Sequence, residues 1–372
     1  MSSNPIRVLY VNGGLMNRGG IESYMMNYYR HFDRDKVQID FVVHNAGGFG
    51  YYDEEIKSLG GKIFILPQKS KHPLSYISKL KKVLKQGEYK IIHTHMDAMG
   101  AWVLKTAKTC GIPVRIAHSH NTQHLTTSLL KLFFLERARK MVNLYATHRM
   151  ACSEVAGRWL FANESFQVIR NAVDIDKFKF NKEIRKVIRD NYHISDDEFV
   201  IGHVGRFDIQ KNHSFLIDVF AKLCQSSKSK IRLMLIGEGY LLEEITKKVQ
   251  DCHLEDKVIF TGVRDDANLF YNAFDLFVLP SLFEGLPVVS IETQMNGCTT
   301  FFSSVITTEC RIAPNIGYLP LDINVWVREI IAQIRKKEIR EAASFDLHSS
   351  GYDINEEAER LQQIYMYLWK NN

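Results

Sequence analysis

The stretch Ile6–Asn12 reads IRVLYVN and decides the fold class. A short, continuous apolar run of this kind is typical of a parallel β-strand that is buried on both faces. Glycines follow it at positions 13, 14, 19 and 20, and apolar residues then recur at helical spacing over 21–32. A strand, a glycine-containing loop and a helix in this order predict the first βα unit of a doubly wound α/β sheet.

The same alternation continues along the chain. Further strands are predicted at 37–43, 62–66, 91–94, 114–118 and 150–153 and, after a charged and poorly patterned stretch at 177–197, at 199–204, 231–236, 258–261, 276–279 and 299–303. We therefore predict an α/β protein of two Rossmann-like doubly wound domains that face a central cleft. The predicted domains are 1–175 and 176–352, and a helix at 353–372 is expected to pack back on the first domain. In such sheets, ligands bind beyond the carboxyl ends of the strands.

Length and composition indicate a globular protein of 372 residues with a net charge of +6. Residues 1–175 carry a formal charge of +11 and the remainder −5, so one part of the surface is expected to meet an anionic partner. The six cysteines include no CxxC pair, which argues against a zinc site or a disulfide framework. No signal peptide and no apolar span are recognised, so a cytoplasmic location is predicted. No nucleic-acid-binding motif accompanies the basic charge, and nucleic acid is not expected as a partner.

Two glycine-containing loops are candidate phosphate sites. Gly19 and Gly20 open a predicted helix, where backbone amides attract phosphate, although this signal is weak by itself and an ordinary tight turn is the alternative. Arg206 follows the first strand of the second half, and Lys211 lies five residues further on. The planar guanidinium and the point charge of the ammonium group together suit a diphosphate. Their alternative interpretation is a solvated surface pair.

The segment 283–292, FEGLPVVSIE, is the sharpest feature of the sequence. Glu284 lies in a predicted turn, and Glu292 lies on the predicted helix that follows it, so both carboxylates could face one cleft. The backbone amides of Gly285 and Leu286, close to the start of that helix, are candidate anion donors. Two surface glutamates on an exposed turn would be the alternative.

Neither metal-binding pattern in the sequence is convincing. Two DxD strings occur, at 33–35 and 174–176, but neither follows a strand into a cleft. A second set, for which a zinc site is conceivable, consists of the histidines at the ends of two consecutive strands: His93, His95, His118 and His120. Because no acidic or cysteine partner lies at metal-ligand spacing, we expect no metal and no cofactor.

The chain resembles family 4 of the retaining glycosyltransferases with the GT-B fold. The resemblance covers nearly the whole chain in order, and its motifs are Gly19-Gly20, 171–174, 205–207 with 211–212, 236–239, 260–262, and Glu284 with Glu292. The sequence of residues 117–122, AHSHNT, is most similar to the branch of the family that builds capsular polysaccharides and exopolysaccharides. The resemblance makes 1–175 the acceptor-side domain and 176–352 the nucleotide-sugar-binding domain.

The resemblance implies roles for the residues that would hold the donor. Arg206 and Lys211 would bind its diphosphate and help the nucleoside diphosphate leave. Glu284, with the amides of Gly285 and Leu286, would hold the sugar. Glu292 would hold the ribose hydroxyls.

The resemblance also implies roles outside that group. Gly19 and Gly20 would approach the phosphates from the opposite domain, and Gly262 and Val263 would line the base pocket. His120 would lie near the anomeric carbon and the acceptor. Strand alternation sends His118 to the same side, so either histidine could face the cleft, and His120 is preferred because it lies further out.

The implied activity is transfer of a hexose-type sugar from a UDP- or GDP-sugar to a glycan that is expected to be lipid-linked. A GT-B-fold nucleotide-sugar epimerase and a non-catalytic nucleotide-binding subunit of a polysaccharide assembly complex are the alternatives. An apolar stretch at 129–135, followed by basic residues, suggests peripheral contact with an anionic membrane on its inner face. The sequence departs from the family after Glu292, and the loop 303–319 is expected to shape the sugar or acceptor pocket.

Overall fold

The computed structural model of the chain describes residues 4–45, 47–124, 126, 128–336, 340 and 348–372. The chain divides into two compact units. The first comprises Met1–Ala172 and Gly351–Asn372, and the second comprises Val173–Ser350.

The first unit is built on a seven-stranded, fully parallel sheet with the strand order β3-β2-β1-β4-β5-β6-β7. Its elements are β1 (Ile6–Asn12), α1 (Gly20–His31), β2 (Val37–Asn45), α2 (Asp53–Ser58), β3 (Ile63–Pro67), α3 (Pro73–Gln86), β4 (Ile91–His95), a 3₁₀ turn (Asp97–Gly100), α4 (Ala101–Thr109), β5 (Val114–Ser119), α5 (Leu129–Tyr145), β6 (His148–Ala151), α6 (Glu154–Phe161) and β7 (Gln167–Val168).

The second unit repeats this plan with a six-stranded parallel sheet of order β10-β9-β8-β11-β12-β13. Its elements are α7 (Ile175–Phe178), α8 (Lys182–Asn191), β8 (Phe199–Val204), α9 (His213–Ser226), β9 (Ile231–Ile236), α10 (Leu242–Asp251), β10 (Val258–Gly262), α11 (Ala267–Phe270), a 3₁₀ turn (Tyr271–Ala273), β11 (Leu276–Leu279), α12 (Val288–Met295), β12 (Thr300–Ser303), a 3₁₀ turn (Thr308–Cys310), β13 (Ile316–Leu319), α13 (Ile323–Lys336) and a 3₁₀ turn (His348–Ser350).

Both sheets are buried because their strands are apolar on both faces. In β1 the last five residues are fully buried, and in β8 the four central residues are. In each sheet the direction of winding reverses between the first and the fourth strand, β1 and β4 or β8 and β11. Loops that follow neighbouring strands diverge at such a point and leave room for a ligand. The predicted α/β class with two Rossmann-like domains is confirmed.

The last helix, α14 (Ile354–Lys370), belongs to the first unit. The side chain of Asp353 caps it by accepting a hydrogen bond from the backbone N–H of Asn355 at 2.9 Å. Leu361 and Tyr365 on its inner face are fully buried in the core formed with α1 and β1. The Tyr365 hydroxyl is 2.8 Å from the hydroxyl of Tyr10 on β1.

Two sequence predictions need correction. The stretch 177–197, predicted to be poorly patterned, contains α8, in which the fully buried Arg189 donates hydrogen bonds to the carbonyls of Ser195 (2.7 Å) and Glu198 (2.6 Å). Ile184, Val187 and Ile188 recur at helical spacing in α8, so apolar periodicity does mark this helix, although the buried Arg189 also lies on it. The loop predicted at 303–319 ends in β13, which contains Gly317 and is short enough to escape notice. Apolar spacing also predicts helices near 126–147 and 323–337, and residues 127 and 337 of these two ranges lie outside the described residues.

Within the described part of the chain, no helix is both long and apolar enough to cross a bilayer. None of the six cysteines forms a disulfide in that part either.

Candidate functional site

Three loops at the carboxyl ends of β8, β9 and β10 are tied together by backbone hydrogen bonds. The N–H of Gly205 donates to the carbonyl of Ile236 at 3.0 Å, and the N–H of Gly237 donates to the carbonyl of Gly262 at 3.0 Å. Gly237 has φ +142°, and a side chain there would run into the carbonyl of Gly205. Only glycine fits this position, because it has no Cβ. The glycines noted in the sequence therefore shape one continuous edge of the second unit.

Lys211 and Glu284 form the central contact of this edge. Lys211 Nζ lies 2.6 Å from Glu284 Oε1, with the two side chains 15% and 7% exposed. The amide of Gln210 donates to the other oxygen, Oε2, at 3.1 Å, and to the carbonyl of Phe283 at 3.0 Å. The loop after β8 and the loop after β11 are thus joined by a poorly solvated ion pair. Such a pair is costly to break, because either charge left alone would lack compensation.

Arg206 differs from Lys211 in its surroundings. Its side chain is 64% exposed, and Nε lies 3.3 Å from Asp208 Oδ2, so it remains accessible to an anion. Asn212 adopts the left-handed conformation with φ +56° as the N-cap of α9, and its side chain donates to the carbonyl of Pro280 at 3.2 Å. Lys211 and Arg206 therefore lie on one loop as a buried and an exposed cation, while Asn212 holds that loop in place.

Glu292 lies on α12, the helix that directly follows the turn of Glu284, and its carboxyl group has a shifted pKa. The hydroxyl of Tyr271 donates to Glu292 Oε2 at 2.6 Å. Burial raises the pKa of Glu292 from 4.5 to about 7, against the opposing effects of the Tyr271 hydrogen bond and the Lys211 charge. The ammonium group of Lys211 thus acts on two carboxyl groups: it lies 2.6 Å from Glu284 Oε1, and its charge opposes the rise in the pKa of Glu292 that burial causes.

The remaining predicted donor-side residues line the same edge. Gly285 and Leu286 are buried in the turn that precedes α12, whose N-cap is Pro287. Gly262 ends β10 with φ +68° and has open space at the position of a Cβ. Val263 follows it and is half-buried. These positions come directly after parallel strands, where a ligand is expected.

In the first unit, the predicted phosphate loop has an acidic neighbour. Gly19 is the N-cap of α1 and Gly20 its first residue. A Cβ on Gly19 would collide with the carboxylate of Glu22, which accepts a hydrogen bond from Asn12 Nδ2 at 2.8 Å. A carboxylate in the first turn is attracted by the same helix dipole as a phosphate. Phosphate contact at Gly19 and Gly20 would therefore compete with Glu22.

Four histidines, two on β4, one on β5 and one directly after β5, come together in the first unit. His93 Nε2 lies 3.0 Å from His118 Nδ1, and His95 Nδ1 lies 2.9 Å from His120 Nε2. His120 is 8% exposed, while the other three are 0–1% exposed. His118 and His120 stack on the same side of the strand with ring centroids 4.3 Å apart, as strand alternation predicts.

Ring nitrogens of His93, His95 and His118 lie within 4.8 Å of one another, so these three could approach one metal ion. The two DxD strings are engaged in local structure. Asp33 pairs with Lys36 at 2.8 Å, and Asp174 caps α7.

Several site residues are absent from the sequence-based prediction. Three such residues form hydrogen bonds to predicted ones. Gln210 contacts Glu284, Tyr271 contacts Glu292, and Asp97 contacts the backbone of His120. Gln210 and Asp97 follow strands closely, and position after a strand was the available signal for them. Tyr271 lies in a 3₁₀ turn, and its role depends on a contact with α12 that no local pattern reports.

The fold is shared with solved structures. The crystal structure of a glycosyltransferase from Rickettsia africae ESF-5 aligns with a TM-score of 0.75 and 17% identity over 100% of both chains. The crystal structure of Alr3699/HepE from Anabaena in complex with UDP aligns with a TM-score of 0.77 and 17% identity over 97% of this chain and 99% of that chain. Together, the two Rossmann-like units define the class as a GT-B-fold protein.

Sequence comparisons identify the family. A model described as Glycosyltransferase Family 4 matches residues 18–177, and one described as Glycosyl transferases group 1 matches residues 184–315. EpsF of Bacillus subtilis (strain 168), a protein named as a glycosyltransferase, is 34% identical over 98% of this chain and 97% of its own length. The chain belongs to the glycosyltransferases and is a transferase enzyme.

More distant relatives carry more specific names. The capsular polysaccharide biosynthesis glycosyltransferase CapH of Staphylococcus aureus is 25% identical over 94% of this chain and 96% of its own length. The UDP-Gal:alpha-D-GlcNAc-diphosphoundecaprenol alpha-1,3-galactosyltransferase of Escherichia coli is 23% identical over 82% of this chain and 81% of its own length.

Proposed function

We propose that this protein is a retaining glycosyltransferase of capsule or exopolysaccharide biosynthesis. It transfers a hexose-type sugar from a UDP- or GDP-sugar to a lipid-linked glycan. The observation that carries the proposal is the Lys211–Glu284 pair, held at 2.6 Å where the loops after β8 and β11 meet. The names of CapH and of the E. coli galactosyltransferase support the pathway and the lipid-linked acceptor.

The proposed roles follow from charge. Cleavage of the sugar–phosphate bond leaves negative charge on the nucleoside diphosphate, which Arg206 and Lys211 stabilise through fixed positive charges. Glu284, with the amides of Gly285 and Leu286, holds the sugar hydroxyls, and Glu292 accepts from the ribose.

The proposed base pocket consists of Gly262 and Val263. Gly19 and Gly20 are proposed to contact phosphate, and His120 is proposed to act at the anomeric centre and the acceptor. Because two cations already offset the diphosphate charge, we propose a reaction that needs no metal and no cofactor. UDP rather than GDP is the first donor to test, since the HepE crystal structure holds UDP.

The test separates diphosphate binding from sugar binding. We expect Lys211→Ala to weaken UDP binding and to lower kcat/KM for the donor by about 100-fold or more, because it removes charge stabilisation of the leaving group. We expect Glu284→Gln to leave UDP affinity within a few-fold, because Lys211 keeps its charge for the diphosphate. Transfer should fall by about tenfold or more, because the charged contact to the sugar and the ion pair with Lys211 are both lost. Calorimetry with UDP and transfer assays with UDP-sugars and lipid-linked acceptors measure both effects.

The matched control is Lys230→Ala, since Lys230 forms an exposed ion pair with Asp197 at 2.7 Å on the same unit. It should leave both measurements unchanged. If the donor sugar is isomerised during incubation without acceptor, the protein is an epimerase and the proposed transferase activity is wrong. UDP binding and transfer that survive both site variants would contradict the proposal.

We further propose that the protein acts on the cytoplasmic face of the membrane through α5. Four apolar side chains at the start of this helix, Leu129, Leu130, Phe133 and Phe134, are 55–83% exposed. Arg137 lies over the Phe133 ring at 4.8 Å. An exposed apolar row beside basic residues fits an anionic lipid surface.

Cosedimentation with vesicles tests the membrane contact. We expect binding to vesicles that contain anionic lipid and weak binding to zwitterionic ones. The double variant Phe133→Ser with Phe134→Ser should lose most of this binding, because burial of apolar surface supplies much of its free energy. Tyr240→Ser, at a 71% exposed aromatic residue of the second unit, is the control. Equal binding by both variants would contradict the role of α5.

A further inference from the structure

The hydrogen bonds of the two histidine pairs in the first unit indicate which nitrogen of each ring carries the proton. All four imidazoles are buried, and in the described part of the chain the hydrogen bonds of their ring nitrogens go to one another and to the Tyr365 hydroxyl, with no carboxylate that could compensate a positive charge. Burial accordingly lowers the pKa of all four, to about 3 for His120. The rings are therefore neutral, and each carries one proton on one of its two nitrogens. In each hydrogen-bonded pair, one ring donates and the other accepts.

The buried nitrogens without partners decide which ring donates. His95 Nε2 and His118 Nε2 are inaccessible to solvent and have no hydrogen-bond partner among the described residues. We infer that these two nitrogens carry lone pairs, because a buried N–H without an acceptor costs more free energy than a lone pair without a donor. The protons of His95 and His118 then lie on Nδ1.

This assignment extends through both pairs without conflict. His118 Nδ1–H donates to His93 Nε2 at 3.0 Å, and His93 Nδ1–H donates to the Tyr365 hydroxyl at 2.7 Å. Independently, His95 Nδ1–H donates to His120 Nε2 at 2.9 Å. Because Nε2 of His120 accepts, the proton of His120 must lie on Nδ1.

Asp97 holds the backbone that carries this ring. It follows β4 and has φ +46°, a left-handed conformation that is uncommon outside glycine. Its carboxylate accepts from the backbone N–H of His120 and from the side-chain amide of Asn121, each at 2.7 Å. Strained backbone persists where the surroundings over-determine it, as these two hydrogen bonds do here.

We propose that His95 and Asp97 are positioning residues that hold His120 as its Nδ1–H tautomer. His95 donates to Nε2 of His120 and so keeps the His120 proton on Nδ1, whereas Asp97 holds the backbone of His120 in position. His120 then offers an N–H to an oxygen of the sugar or of the acceptor hydroxyl, and it does not act as the base that takes the acceptor proton. The chemical role rests on the function proposed above, whereas the tautomer does not.

Nuclear magnetic resonance of the ring nitrogens tests the tautomer in the full chain. With ¹⁵N-histidine labelling, and with the His120 signals assigned by loss in His120→Gln, we expect a protonated Nδ1 and an unprotonated Nε2. His95→Leu should abolish this preference, because it removes the donor. His95→Asn should retain it, because an amide N–H can replace Nδ1–H. A protonated Nε2 in the wild type, or unchanged signals in His95→Leu, would overturn the proposal.

Kinetics test the positioning role of Asp97. Asp97→Gly removes the carboxylate and suits the left-handed backbone, so it does not add strain. We expect kcat/KM for the donor sugar or for the acceptor, or for both, to fall by roughly tenfold or more, while the affinity for UDP alone, which carries no sugar, stays within about twofold of wild type. Glu88→Gly, at an exposed residue with φ +50°, matches the backbone change and should leave all three unchanged.

The two experiments separate the two proposals. If the wild type transfers no sugar, the proposed function fails, and the ring signals of His120 in Asp97→Gly still decide the positioning. Disturbed signals would support it, and unchanged signals would overturn it. If transfer is normal in Asp97→Gly, the positioning role is wrong even though the enzyme is a transferase.

Discussion

At the scale of single residues, Glu292 is the most informative titratable group of the second unit. Its pKa of about 7 arises from burial, which the Tyr271 hydrogen bond and the charge of Lys211 only partly offset. A carboxyl with this pKa changes its charge close to neutral pH. Its contributions to stability and to ligand binding are therefore expected to depend on pH.

We predict that stability falls as pH rises through this range. Between about 4.5 and about 7 the unfolded chain has released the Glu292 proton while the folded chain retains it, so the free energy of unfolding decreases as pH increases. Glu292→Gln should remove this dependence. This variant should be more stable than wild type by about 2 kcal/mol at pH 8, a difference that allows for the residual solvent exposure of Glu292. At pH 4 the two proteins should be nearly equal in stability.

Urea unfolding at both pH values measures this difference. Glu244→Gln, at an exposed glutamate of α10, is the control and should shift neither curve. The same stability difference between wild type and Glu292→Gln at pH 4 and pH 8 would rule out titration as the cause.

At the scale of elements, the last helix shows how a distant segment completes a core. The inner face of α14 packs with α1 and β1, and its Tyr365 reaches both Tyr10 and His93. Local signals in the sequence predict the helix itself, through the capping Asp353 and the apolar spacing. Tyr10 and His93 are 355 and 272 residues away from Tyr365 in the chain, and no local signal identifies them as its partners.

We predict that Leu361→Ala destabilises the first unit by about 2–4 kcal/mol. Leu361 is fully buried, and its truncation leaves a cavity in addition to the lost transfer free energy. Tyr367→Ala on the same helix is the control, because Tyr367 is 68% exposed. Urea unfolding followed by tryptophan fluorescence compares the two. If Leu361→Ala lowered the free energy of unfolding as little as Tyr367→Ala does, the packing of α14 would contribute little to the stability of the core.

At the scale of the whole molecule, the chain carries two Rossmann-like units with separate cores. The basic excess lies in the first 175 residues, which contain α5, and the acidic excess lies in the remainder, which contains the Lys211–Glu284 pair. The proposed membrane contact and the proposed donor site thus fall in different units. This division agrees with the two family models, which match 18–177 and 184–315.

Much of the architecture could be predicted from the sequence, because periodicity is a local property. The apolar runs at β1, β8, β9 and β11 gave strand bounds that match the structure. Arg206 and Lys211 could be placed after a strand for the same reason. Periodicity also marks α8, through Ile184, Val187 and Ile188, but it could not reveal β13, a four-residue strand at the sheet edge.

The contacts that define the candidate sites needed the tertiary structure. Lys211 and Glu284 are 73 residues apart, and the paired histidines are 25 apart, so their distances depend on which strands become neighbours. The strained backbone of Asp97 likewise depends on hydrogen bonds to the loop after β5. The sequence alone determined which residue types follow each strand, since alternation and glycine placement act locally. Only the tertiary structure decided which side chains meet, because burial and hydrogen bonding are set by residues far apart in the chain.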